Sequence, residues 1–161
     1  MLVDAFQYAK DNHKDVHFLG LLSDGGVHSH ITHLFGLLEA ANNFGLTKTY
    51  VHAFTDGRDV DPKSGFGFLT ALEEQLEKTN SKLATVTGRY YAMDRDKRWE
   101  RIKLAYDAMV NGIGDFSTNV TDSVESNYKN DITDEFIKPI IMVDKNNQPV
   151  KKIKEGDVVK R

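Results

Sequence analysis

Thr87-Gly88-Arg89-Tyr90-Tyr91-Ala92-Met93-Asp94-Arg95 follows directly on the apolar run Lys82-Leu83-Ala84-Thr85-Val86 and precedes a stretch in which Trp99, Ile102, Ala105, Tyr106 and Met109 recur at helical spacing. The order is strand, glycine-containing charged loop, helix. It occurs twice upstream. His17-Phe18-Leu19-Gly20-Leu21-Leu22 runs into Ser23-Asp24-Gly25-Gly26-Val27-His28-Ser29-His30, and Ile31, Leu34, Phe35, Leu38 and Ala41 then mark a helical face that ends at Gly45. Tyr50-Val51-His52-Ala53-Phe54 runs into Thr55-Asp56-Gly57-Arg58-Asp59, and after Asp61-Pro62 a second face follows through Phe68, Leu69, Leu72 and Leu76. Near-continuous apolar strands alternating with amphipathic helices predict an α/β fold, an open, mainly parallel sheet with right-handed crossovers and helices on both faces. In such a sheet the carboxyl ends of the strands share one edge, so the charged loops converge on one crevice.

Outside these units the pattern is weaker. Met1 to Asn12 carries a short helical face, and Asp122 to Lys129 reads as another short helix. Pro139-Ile140-Ile141-Met142-Val143 reads as a strand, and the turn residues Asp144 to Gln148 predict a C-terminal β-hairpin with Val150 to Ile153 folded back. Gly156 to Arg161 looks like a strand beginning. Residues 1–161 are expected to form a single α/β domain.

Composition bounds the function. Apolar content of 40%, 28% charged residues and only three prolines fit an ordinary globular chain rather than a disordered one. No apolar run approaches the roughly 18 residues a membrane span requires, and Met1-Leu2-Val3-Asp4 shows neither the basic nor the apolar part of an export signal, so a cytoplasmic protein without a membrane partner is expected. The absence of cysteine excludes disulfides and thiolate metal sites. A formal charge of −3 gives no field for nucleic acid, yet Arg58, Arg89, Arg95, Arg98 and Arg101 are bunched mid-chain, which points to a small anionic ligand.

Arg58, Arg89 and Arg95 offer planar forks for a carboxylate or phosphate, with a charge that never titrates away. Asp59, next to the cationic Arg58, is expected to stay ionised and to accept a proton from a substrate hydroxyl. His28 can donate to an anion or shuttle a proton near neutrality. Arg98 and Arg101 are expected to be solvated helix charges or halves of weak ion pairs, Asp94 a partner for an arginine, and Asp24 a turn or capping residue before it is a catalytic one. Tyr90, Tyr91 and Met93 are expected to wall the pocket or pack the core, and Trp99 to be core. A zinc site on His28, His30, His33 and His52 can be drawn, but no paired-histidine motif or carboxylate cluster completes it. There is no nucleophile elbow, P-loop or dinucleotide fingerprint.

At Ser23 to His30, Asp56 to Val60 and Gly88 to Trp99 the sequence closely resembles the cofactor-independent (2,3-bisphosphoglycerate-independent) phosphoglycerate mutases, and the similarity extends over essentially the whole chain. The resemblance implies the phosphotransferase domain, an α/β insertion in a two-domain isomerase of glycolysis whose other half is alkaline-phosphatase-like. In that family a serine and two manganese ions (Mn2+) on the phosphatase-like half take the phosphoryl group from 3-phosphoglycerate and return it as 2-phosphoglycerate. By resemblance Asp59 handles the hydroxyl proton, while His28, Arg58, Arg89 and Arg95 hold the carboxylate and phosphate. The resemblance places no metal and no cofactor on the residues of this chain, and its partners are the phosphatase-like domain and the phosphoglycerates. The family continues past the strand matching Asp157-Val158-Val159 into an aromatic-rich stretch with two further substrate-binding arginines, so the anion site is expected to be incomplete here and the chain alone inactive. The alternative is a stand-alone binding module for small phosphorylated acids.

Overall fold

Leu22, Thr55 and Gly88 lie side by side in register at the ends of three parallel strands, β1 (Val16–Leu22), β2 (Thr49–Thr55) and β3 (Lys82–Gly88). This is the shared edge that the repeated loops require. The computed structural model describes all 161 residues. Around the three strands it adds helices α1 (Leu2–Asp11), α2 (Ile31–Phe44), α3 (Gly65–Lys78), α4 (Arg89–Ala92), α5 (Trp99–Asn111) and α6 (Val120–Lys129), and strands β4 (Asp115–Ser117), β5 (Ile140–Met142) and β6 (Val158–Lys160). The six strands form one sheet in the order β4-β5-β3-β2-β1-β6. All neighbouring pairs are parallel except β3 with β5.

Alternation along β5 separates two cores, because successive strand side chains point to opposite faces. Ile140 and Met142 join the large core with Phe6 of α1, Leu38 of α2, Leu69 and Leu72 of α3 and Val124 of α6. Ile141 and Val143 meet Ala108 of α5 on the other face. Helices therefore cover both faces, unequally. A bulge opposite Val51 and His52 lets Leu83 and Val86 both turn into the large core while Thr85 faces His52.

Local chemistry sets the helix ends. Gly45 takes φ 90° past the end of α2, a left-handed value that only glycine adopts without cost, and its N–H bonds back to Ala41 and Asn42. His30, rather than Asp24, caps the start of α2, its Nδ1 accepting from the Thr32 N–H. Asp24 is exposed, and the Ser23 hydroxyl takes the turn contact at Gly25. Trp99 corrects the expectation of a core residue, for it is 72% exposed. The small residues Ala105 and Ala108 set the buried face of α5, and closest approach of a helix to a sheet selects that face over the bulkier one. The hairpin turn at Asp144 to Gln148 forms, with Asp144 accepting from the Asn146 and Gln148 N–H groups, but pairing stops after the Val143–Pro149 bridge. Residues 150–153 add no strand. No helix is long and apolar enough to cross a membrane.

At the opposite, amino-terminal end of the sheet a chain of polar groups is buried. Thr85 Oγ1 bridges to His52 Nδ1 at 2.9 Å, His52 Nε2 to His17 Nδ1 at 2.9 Å, and His17 Nε2 to Asp157 at 2.9 Å. Burial and the neighbouring His17 push His52 from 6.5 down to about 3, and burial outweighs Asp157 to lower His17 as well. The folded chain thus binds these protons less tightly than the unfolded chain. Stability from His52 is complete above about pH 6.5 and falls as pH drops below it, by about 1.4 kcal/mol per unit at most. The melting temperature is expected to fall as the pH is lowered from about 6.5 toward about 4, and His52→Gln to flatten that dependence. Equal slopes in the two proteins would assign the pH dependence elsewhere.

Candidate functional site

Asp56, the first residue after β2 and 1% exposed, is the hub of the carboxyl edge. Its Oδ2 accepts the Ser23 hydroxyl at 2.6 Å from the end of β1. Its Oδ1 accepts the N–H groups of Arg58 (3.2 Å) and Asp59 (3.0 Å), which winds the residues after β2 into a turn. From the end of β3, Arg89 Nη1 reaches the same Oδ1 at 2.7 Å and Asp59 Oδ2 at 2.8 Å. Three in-register strand ends are thereby cross-linked by one arginine and two carboxylates. Burial raises the Asp56 carboxyl, but the donors from Asp59, Ser23, Arg89 and Arg58 together outweigh it and hold the group below the usual range. Burial likewise works against Arg89, and Asp59 and Asp56 reverse it, so the guanidinium is more firmly protonated than usual.

The five expected site residues converge on this edge in different states. Arg89 is 5% exposed and committed through Nη1. Asp59 Oδ2 takes Arg89 and lies 3.9 Å from His28 Nε2, and no protein donor reaches its Oδ1. The cation that neutralises Asp59 is therefore Arg89, not the adjacent Arg58. Arg58 points away, its Nη1 4.0 Å from Glu135, and is exposed. Arg95 is exposed and, with Arg58, Arg89, Tyr90 and Glu135, lines a cleft of about 230 Å³. Arg101 is half of an ion pair, as the sequence allowed, with Asp94 as the partner expected for an arginine. It lies 3.8 Å over the Tyr90 ring and 3.1 Å from Asp94, so it braces the cleft wall.

The unforeseen element is a 3₁₀ turn, Asp134–Phe136, wedged between the β2 and β3 loops. Thr55 Oγ1 donates to the Asp134 carbonyl at 2.7 Å, and the fully buried Asp134 carboxylate accepts Gly65 N–H at 2.7 Å and the Tyr128 hydroxyl. Burial raises the pKa of both Asp134 and Tyr128. Gly57, at φ 65°, and Gly88 give the turn its room, since a Cβ on either would come within 2.9 Å of it. Asp56 stands directly before Gly57, where an Asp-Gly pair signals a turn. Asp134 and Glu135 carry no such local signal.

A larger, more apolar cleft of about 330 Å³ is lined by His28 itself with Leu19, Leu34, Phe54 and Lys160, so His28 opens on this cleft and not on the one lined by the arginines. The three candidate arginines Arg58, Arg89 and Arg95 line the smaller one. His52 cannot join His28 and His30 at a metal, because both its nitrogens are bonded to His17 and Thr85. Asp15, His17 and Asp157 bring ligand atoms within 4.8 Å of one another. That group does not suit a divalent ion, since His17 Nε2 already pairs with Asp157 and the Lys151 ammonium lies 3.4 Å from Asp15.

Residues 1–160 match the family model described as the BPG-independent PGAM N-terminus. Among curated relatives, the 2,3-bisphosphoglycerate-independent phosphoglycerate mutase of Flavobacterium psychrophilum is 65% identical over 98% of this chain and 31% of its own length. That of Clostridium perfringens strain SM101 is 51% identical over 98% of the chain and 31% of its own length. A crystal structure of Leishmania mexicana phosphoglycerate mutase, determined at low cobalt concentration, superposes with a TM-score of 0.87 at 30% identity, covering 98% of this chain and 33% of that one. The chain spans about a third of the length of the relatives it matches.

Proposed function

The chain belongs to the BPG-independent phosphoglycerate mutase N-terminal family, and from that premise we propose that it is the substrate-holding domain of an isomerase that interconverts 3-phosphoglycerate and 2-phosphoglycerate. One observation carries the reading: Arg89, which lines a cleft together with the exposed Arg58 and Arg95, also bonds Asp59 at 2.8 Å, so a proton acceptor stands one arginine away from two anion-binding forks. A glycerate phosphate has two anionic groups and a free hydroxyl, which matches that set. Asp59 accepts the hydroxyl proton at Oδ1, the oxygen free of protein donors, while Arg89 on Oδ2 balances the charge. Arg58 and Arg95 hold the carboxylate and phosphate, and His28, 3.9 Å from Asp59, steadies the anion as the proton moves. Arg89 holds the ligand's surroundings more than the ligand.

The phosphoryl carrier lies, on this reading, in the longer protein's alkaline-phosphatase-like domain, as a serine beside two manganese ions. Such ions supply nucleophile activation and charge neutralisation to phosphoryl transfer. This chain's residues hold the glycerate meanwhile and shield it from water. We assign the whole protein to the cytoplasm, with no nucleic-acid or membrane partner and residues 1–161 as a single domain. The chain alone is expected to give no turnover in an enolase-coupled assay with manganese. Added phosphatase-like domain restores activity if the reading holds, and turnover by the chain alone refutes it. In an NMR titration, 3-phosphoglycerate is expected to shift the amides of residues 28, 57–59 and 88–95, with Arg58→Ala and Arg95→Ala each weakening binding roughly tenfold or more. Uniform or absent shifts would remove the glycerate site from this edge.

A further inference from the structure

We infer that Glu135 is a built-in counter-anion that holds Arg58 and must give it up when an anionic ligand binds. The inference deepens the glycerate-site reading and rests on it for the identity of the natural ligand.

The other carboxylates at this edge all have closer partners. Asp56 and Asp59 take Arg89 at 2.7 and 2.8 Å. Asp94 takes Arg101 at 3.1 Å and the Arg98 N–H at 2.8 Å, and Asp96 lies 3.5 Å from Arg101. Glu135 has only Arg58, at 4.0 Å, although its side chain is 20% exposed and lines the cleft. The two partners differ in freedom. Glu135 sits in a 3₁₀ turn pinned by Thr55, Gly65 and Tyr128, with Gly57 and Gly88 packed directly against its backbone. Arg58 is 57% exposed and has no other carboxylate in reach. The mobile member is therefore the arginine, which swings from a fixed weak acid to a stronger ligand anion.

A carboxylate fixed beside an anion site repels any incoming anion, and a 4.0 Å pair in a half-open cleft must be broken before Arg58 can bind bidentately. Glu135 thus lowers affinity and sharpens selection, because a ligand must offer a dianion or two anionic groups to displace it. A single weak anion competes with Glu135 on equal terms. Phe136, the next residue, packs on Tyr90 with ring centroids 5.1 Å apart, so the aromatic part of the cleft lining is fixed by the same turn.

Titration of this chain with inorganic phosphate and with 3-phosphoglycerate, read from the amide shifts of residues 57–59, tests the assignment. Glu135→Gln is expected to bind both ligands about three- to tenfold more tightly than the unchanged chain. In an Arg58→Ala background the same change should gain less than about twofold, since the competition runs through that guanidinium. Unchanged or weaker binding by Glu135→Gln, or an equal gain without Arg58, overturns the counter-anion role. A merely structural role for Glu135 would weaken binding and leave no dependence on Arg58. If phosphate binding tightens while 3-phosphoglycerate never binds, the counter-anion role stands and the glycerate reading falls. If neither ligand binds either protein, both fall together.

Discussion

Arg89→Ala is expected to lower the unfolding free energy by about 3–5 kcal/mol, a large part of the stability of a domain this size. The residue is 5% exposed and lies between Asp56, 1% exposed, and Asp59, so truncation strands two carboxylates at an edge where one is fully buried. The loss exceeds the net worth of the ion pair, because the penalty is that of uncompensated buried charge. Arg89→Lys should recover part of it, since an ammonium can approach both oxygens but lacks the planar fork. Combining Arg89→Ala with Asp56→Asn should cost less than the sum of the two single changes, as residues in one network couple. Urea unfolding of these variants beside the unchanged chain measures this. A loss below about 1 kcal/mol for Arg89→Ala would mean that water screens the cluster and that the strand ends are held by their backbone ladder alone.

Gly88→Ala is expected to cost about 3 kcal/mol or more, for a reason unrelated to glycine's flexibility. Gly88 has φ −61° and ψ 143°, which alanine adopts freely, so the change would by itself stabilise through the unfolded state by about 0.4–1 kcal/mol. Space decides against it. The added Cβ would collide with the Glu135 carbonyl oxygen and lie 2.7 Å from the Ile137 nitrogen, both backbone atoms. Gly88 N–H also donates to the Ile137 carbonyl at 2.7 Å, so the turn cannot retreat without breaking that bond. Overpacking against backbone sits at the upper end of the usual range. Gly36→Ala, in mid α2 where an added Cβ meets no atom within 4 Å, should instead stabilise by about 0.5–1 kcal/mol. Thermal melts that ranked the two substitutions alike would show that the 3₁₀ turn is not packed against β3 as described.

These two sites also explain how the anion site depends on remote sequence. Gly88→Ala displaces Glu135, the partner of Arg58, so ligand affinity should change even where the protein still folds. Arg89→Ala frees Asp59 Oδ2 and moves the proposed proton acceptor, so its effect on binding cannot be separated from its effect on folding. Arg58 and Arg95, exposed and outside the buried cluster, are the positions at which binding can be probed alone.

Much of this was legible along the chain. The units His17 to Ala41, Tyr50 to Leu76 and Lys82 to Met109 encode periodic burial, which is local, and the structure places strands and helices within a few residues of those runs. That Asp59, Arg58, Arg89, Arg95 and His28 lie at one end of the sheet was legible because charged residues that follow parallel strands share an edge. The sequence order alone therefore determined the three parallel strands, the helices between them and the loops in which to look. Tertiary structure decided which cation meets which carboxylate. Asp59 pairs with Arg89, 30 residues away, rather than with its neighbour Arg58, because the register of Thr55 beside Gly88 brings those side chains within 2.8 Å. Asp134 and Glu135 give no local sign of belonging to the site, since their burial is created by Thr55, Gly57, Gly65 and Gly88 from distant parts of the chain. The exposed face of α5 was likewise set by what the sheet could approach, not by where Trp99 falls on the helix. Periodicity is a property of neighbours in sequence and can be read there, whereas charge pairing and close backbone contact are properties of neighbours in space and exist only once strand register is fixed.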